Sequence, residues 1–258
     1  MISKKEKTLL LHNDSHHHPE SKISVIKQYI KESASRVKKN LKSFHMLNGK
    51  VLVTVKDTLP KDFNIQATFK AVESRLPEKL FFLIDHIIIG DHPIFKQKKV
   101  NAYYRENTLF ITPDQKDSMD MVDDIIHEIA HVIEDHYHDQ IYGDRAIEEE
   151  FLTKRALLLD ILKQSGYINK EDIKLFKGLK FNDVFDNLLY KKIGYPVLSK
   201  LITNLFLGPY SITSIREYFA VAFEEYFTDY IGAKEARKVC PEVFKKIKML
   251  ENYFDEES

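Results

Sequence analysis

Asp123-Asp124-Ile125-Ile126-His127-Glu128-Ile129-Ala130-His131-Val132-Ile133-Glu134 reads H-E-x-x-H inside an apolar run with helical spacing. On a helix, residues four apart lie one above the other on a single face. His127 and His131 can therefore offer imidazole nitrogens to one metal ion, while Glu128 reaches a water held beside it. Ile125, Ile126, Ile129 and Ile133 supply the apolar side that holds such a face rigidly. Asp124, three residues before His127 on the same face, is placed to orient an imidazole by accepting its hydrogen bond. Two histidines leave a zinc ion under-coordinated, so hydrolytic chemistry needs a third protein ligand and an open position for water.

The flanking sequence places this helix after a small sheet. Residues 99–104 and 108–112 form a predicted hairpin around Arg105-Glu106-Asn107, and Asp117 or Ser118 caps the motif helix. Further upstream, residues 80–89 predict a buried strand and residues 50–55 a valine-rich one. Between them Asp62 or Asn64 caps a helix through Arg75 that Pro77 stops. Residues 22–47 carry a helical apolar stripe ended by Asn48-Gly49. After Tyr142-Gly143 the pattern is helical over 146–164, 170–177, 182–192, 197–207 and 211–231, and from Pro241 to about 253. The expected fold is α+β, a small and mostly antiparallel sheet with the motif helix, followed by a helical lobe. Residues 1–20, which include His16-His17-His18, read as a flexible tail. Residues 21–258 read as one domain, with an α+β lobe over 21–142 and a helical lobe over 143–258.

Composition narrows the partners. With 39 basic and 39 acidic residues the formal net charge is zero, which argues against broad capture of nucleic acid or an anionic membrane. The longest apolar runs are too short to cross a bilayer. The first residues, with three leucines before His12, do not make a signal peptide, so a cytoplasmic protein is expected, with export by another route open. The single cysteine, Cys240, excludes an internal disulfide and a thiolate-rich zinc site and reads as a bystander.

His136 and His138 follow the motif too closely to approach the metal from its far side, so the third ligand is expected to be acidic. Glu150, in Glu148-Glu149-Glu150, and Glu217, in Ser214-Ile215-Arg216-Glu217, both open later helices. Each also suits the helix macrodipole there, and spacing does not separate them.

The segment Tyr210-x6-Glu217-Tyr218-Phe219-Ala220-x-Ala222-Phe223, taken with the H-E-x-x-H motif, resembles the catalytic domain shared by the anthrax lethal factor and the clostridial Pro-Pro endopeptidases. These are gluzincins, zincin-fold zinc peptidases whose third ligand is a glutamate on a second helix. The resemblance covers mainly residues 99–131 and 210–227. It implies Zn2+ held by His127, His131 and Glu217, with Glu128 as general base and Tyr210 supporting the transition state. The substrate implied is a peptide or protein, added as an extended strand beside the motif helix, for which residues 108–112 are the candidate. The chain departs from the pattern at Val221, where the family has a second glutamate; Glu224, one turn further on, can substitute. The interval between His131 and Glu217 is also longer, filled by the helices of residues 147–207. A zinc endopeptidase is the expected function, and a catalytically silent zincin-fold binding domain is the alternative that Val221 favours.

Overall fold

The computed structural model describes residues 42–47, 49–61, 63–98 and 100–256. The chain divides between Leu41 and Lys42 into two units, of which Lys42–Ser258 carries the motif. The histidine-rich tail and residues 22–41 of the helix predicted over 22–47 lie outside the described residues.

Five short strands, β1 (Lys42–Met46), β2 (Val51–Val55), β3 (His86–Ile89), β4 (Ala102–Arg105) and β5 (Thr108–Ile111), form one sheet in the order β1-β2-β3-β5-β4. The outer pairs β1–β2 and β4–β5 are antiparallel, while β2–β3 and β3–β5 are parallel. The sheet is thus mixed, not mostly antiparallel. Val-Leu-Val-Thr-Val, His-Ile-Ile-Ile and Thr-Leu-Phe-Ile show little polar alternation, as central parallel strands do, with one face of each buried and the other no more than partly exposed. A parallel pair also needs a long crossover. Helix α1 (Ile65–Arg75) provides it between β2 and β3, capped by the Asn64 side chain, which accepts from the Ala67 N–H at 3.0 Å.

Two predicted elements upstream are corrected. Residues 42–46 are a strand, not the end of a helix: Phe44 and Met46 are half-buried, and their neighbours Ser43 and His45 are exposed. The strand turns back through Leu47 and Gly49, both at positive φ (55° and 77°). Of residues 80–89 only His86–Ile89 is strand, because Pro77 starts a 3₁₀ turn over Glu78–Leu83. The hairpin between β4 and β5 turns at Glu106 and Asn107, φ 50° and 57°, the two-residue left-handed turn that matches strand twist. A short helix, α2 (Pro93–Lys98), precedes it.

Helix α3 (Ser118–His136) carries the motif. Its cap is Asp117, whose carboxylate accepts from the N–H groups of Met119 and Asp120 at 2.9 and 3.0 Å. Ile125, Ile126, Ile129 and Ile133 are fully buried, each contributing about 1.5–3 kcal/mol of apolar burial. The helix packs against β4, β5 and α1, and against α8 (Ile215–Thr228) from the far end of the chain.

Between these lie α4 (His138–Tyr142), α5 (Ala146–Gln164), a 3₁₀ turn (Asp172–Lys177), α6 (Asp183–Asn187) running into a π-helical turn (Leu188–Ile193), α7 (Tyr195–Leu201) and a 3₁₀ turn (Tyr210–Ile212). The helix predicted over 211–231 is split. Asp229 breaks it in an extended conformation and caps α9 (Tyr230–Val239), accepting from the Gly232 N–H at 2.8 Å. A Cβ on Gly232 would lie 2.2 Å from the Glu225 carbonyl oxygen, so α9 crosses α8 at backbone contact. α10 (Pro241–Glu256) closes the chain. One hydrophobic core runs from the sheet through all these helices. Among the described residues no helix is long and apolar enough to cross a membrane.

Candidate metal centre

The ligand atoms of His127, His131 and Glu217 all lie within 4.8 Å of one another, where α8 crosses α3. Glu217 Oε2 is 3.1 Å from His127 Nε2 and 3.7 Å from His131 Nε2. The sequence accounts for this placement locally. Ser214-Ile215-Arg216-Glu217 is a capping-box pattern, and the Ser214 hydroxyl oxygen accepts the Glu217 N–H at 3.1 Å. The Glu217 carboxylate crosses to the imidazoles and leaves the cap to Ser214.

Each imidazole is held from behind by its own carboxylate. His127 Nδ1 donates to Glu224 Oε2 at 3.0 Å, and His131 Nδ1 donates to Glu134 Oε2 at 2.6 Å. A proton fixed on Nδ1 leaves Nε2 as the metal-binding nitrogen on both rings. Glu134 is itself tied down by the Tyr142 hydroxyl and by Arg216 Nε at 3.3 Å. Arg216 also reaches Asp135 at 3.0 Å. Glu224 sits two turns beyond Glu217 and supplies the carboxylate that Val221 does not.

The electrostatics fit a bound cation. Burial opposes charge on both imidazoles, yet the facing carboxylates hold the His127 pKa well above its ordinary value and push that of His131 up to about 9. Burial likewise opposes charge on Glu217, but its hydrogen bonds to the two imidazoles drive its pKa far below the usual carboxylate range. The two Nε2 atoms and one carboxylate oxygen can hold a metal.

Glu128, 8% exposed, stands beside the ligands on the face of α3, which packs against β4. Burial raises its pKa, opposed by the neighbouring imidazoles. Tyr210 packs its ring 6.3 Å from that of His127, and burial, then Glu217 and Glu128, push its phenol pKa far up.

Other candidates lie elsewhere. Glu150 accepts from the Tyr218 hydroxyl and from the Glu242 N–H at 3.0 Å, and pairs with Lys154. Asp124 accepts from Gln115 Nε2 at 3.0 Å and does not orient an imidazole; Glu224 and Glu134 do. Glu134 was legible as a polar residue three positions after His131, on one face with it, yet fully enclosed only once α8 is in place. His136 and His138 are exposed. Residues 108–111 are not an edge strand either: β5 lies between β3 and β4, and β4 forms the edge. The chain matches no family model, no curated protein and no solved structure.

Proposed function

We propose that the protein is a zinc-dependent endopeptidase of the gluzincin type, with His127, His131 and Glu217 as zinc ligands. The observation that carries this reading is the convergence of two oriented imidazoles and a carboxylate beside a buried fourth acid, Glu128, that ligates nothing. A site that only stabilises a fold has no use for that acid. Two nitrogens and one oxygen from protein are a common catalytic zinc set. Zinc held there would supply Lewis acidity and a more acidic water.

Glu128 takes a proton from the attacking water and returns it to the leaving amine. Burial favours its protonated form and so aids the return step. The Tyr210 hydroxyl, kept protonated by burial, donates to the carbonyl oxygen as negative charge develops there. An extended peptide or protein substrate pairs with β4, an edge strand among the described residues, which packs on α3. The silent-domain alternative rested on Val221, and the Glu224–His127 hydrogen bond removes that support.

The test is zinc content with a peptide-library cleavage assay. Wild type is expected to hold one zinc and cleave. Glu217→Ala loses the metal, Glu150→Ala keeps it, and Glu128→Gln keeps it without cleaving. Zinc-free wild type, or zinc lost in Glu150→Ala and kept in Glu217→Ala, refutes the assignment.

A further inference from the structure

Arg155 of α5 is the largest of the fully buried side chains among the described residues, at 1% exposure. No described carboxylate pairs with it. Its guanidinium instead donates to backbone carbonyls: Nε to Ile212 at 2.9 Å, Nη2 to Thr213 at 2.9 Å and to Ile212, and Nη1 to Gly178. The rings of Phe151 and Phe185 lie 4.5 and 4.3 Å from its Cζ. A buried cation without a counter-ion is costly, and an apolar side chain of similar volume is normally the more stable choice.

The carbonyls it holds explain the exception. Ile212 and Thr213 lie between Tyr210 and Ser214, the turn that delivers Tyr210 to the site and starts the helix bearing Glu217. Gly178 belongs to the long interval between the two halves of the metal motif. Its neighbour Leu179 accepts the Ile215 N–H at 2.9 Å, satisfying one of the donors left open at the start of α8. Three chain segments therefore meet at one guanidinium, a planar fork whose donors point in fixed directions.

We infer that Arg155 is a positioning residue for the metal centre, fixing Glu217 and Tyr210 relative to the histidines, and that residues 165–207 are part of the site's framework through it. The inference rests on the metal-centre reading above. It assigns a role to an interval that the motif residues leave unexplained. A lysine cannot replace the fork, because one ammonium does not span the carbonyls of Gly178, Ile212 and Thr213.

The test reads metal geometry, using cobalt(II) alone as the probe of full-length protein. Arg155→Met is compared with wild type and with Leu162→Ala, a buried site on the same helix outside the clamp. Arg155→Met, folded by circular dichroism, is expected to bind cobalt at least tenfold more weakly. Its visible absorption weakens as water replaces a displaced ligand. Leu162→Ala loses stability and leaves affinity and spectrum unchanged. A folded Arg155→Met with the wild-type spectrum and affinity overturns the inference while leaving the metal centre intact. If wild type takes up no cobalt, both readings fall. If Arg155→Met does not fold, Ile215→Pro decides. Proline suits the first helical position, and Ser214 at φ −156°, ψ 166° suits the residue before it. That change removes the N–H bonded to Leu179, and at least threefold weaker cobalt binding with an altered spectrum is expected. Unchanged binding there overturns the inference.

Discussion

Replacing Glu224 by alanine removes the acceptor facing His127 Nδ1 at 3.0 Å and leaves all three proposed ligands in place. A hydrogen bond to a charged group contributes about 1.5–3 kcal/mol. The Glu224 side chain is 28% exposed, so water screens part of this and about 1–2 kcal/mol remains. That corresponds to roughly 5–30-fold in metal affinity, overlapping the ~10–100-fold typical of carboxylates that orient metal-bound histidines. The loss arises because an untethered imidazole can carry its proton on Nε2 and turn an N–H towards the metal. Competition against a fluorescent chelator measures the affinity directly. The double variant Glu224→Ala/Val221→Glu returns a carboxylate to the same helix face and is expected to recover part of the loss. Zinc affinity within twofold of wild type in Glu224→Ala would refute the reasoning, because His127 would then be oriented by something else.

Glu134→Ala leaves the Tyr142 hydroxyl and His131 Nδ1 without their acceptor, while Arg216, half exposed, keeps Asp135. It should lower stability by about 1–3 kcal/mol, the cost of leaving buried donors unsatisfied, read as a fall in the melting temperature. In metal-free protein the His131 pKa is about 9 against 6.5 unfolded. The stabilisation it contributes is complete below pH 6.5 and is lost as pH rises through 9. The same linkage makes metal binding release protons below pH 9, so affinity should climb with pH across that window; a flat profile contradicts the site. Asp124 gives a slope of the same sign in a lower pH window, but as a penalty on the folded state. Burial raises its carboxyl pKa from 3.8 to about 7, so the folded state is progressively penalised as pH climbs between those values. Asp124→Asn should remove that slope in metal-free protein and gain up to about 4 kcal/mol above pH 7, measurable by denaturant titration at pH 5 and pH 8.

The sequence was most legible where a local signal and the tertiary contact agree. Asn64 and Asp117, each one of two cap candidates, cap their helices, and residues 146–164 carry an apolar stripe that becomes α5. It was least legible where partners are distant. The parallel strands β2, β3 and β5 acquire their pairing from the α1 crossover, which no window of residues contains. Residues 42–46 follow on from the apolar stripe that runs through Leu41 and Phe44 at helical spacing, and only pairing with β2 selects the strand. In the site, His127, Glu128 and His131 are four-residue periodicity on one helix and could be read directly. Spacing did not choose Glu217 over Glu150, because both acids open helices; only the family resemblance favoured Glu217. Geometry separates them: Glu150 is consumed by Tyr218, Lys154 and the start of α10.

The two orienting carboxylates differ in how their charge is carried, and the difference points to α8 as the part that sets the site. Glu224 keeps 28% of its side chain exposed, so water screens it without a cationic partner. Glu134 keeps only 2% and cannot be left to solvent. Its counter-charge is Arg216, the residue immediately before the ligand Glu217. The first turn of α8 therefore carries three linked contacts. Ser214 caps the helix, Arg216 neutralises the carboxylate behind His131 and spans to Asp135, and Glu217 faces both imidazoles. Rotating the turn to move any one of these side chains displaces the others, since residues 214, 216 and 217 share less than one helical turn. The register of α8 on α3 is thus fixed by charge as well as by packing, and metal binding and the Arg216–Glu134 pair should be energetically coupled. A double-mutant cycle on Arg216→Met and Glu217→Gln, read as stability with and without zinc, is expected to show a coupling of about 0.5–3 kcal/mol; additive effects would mean that the two contacts form independently.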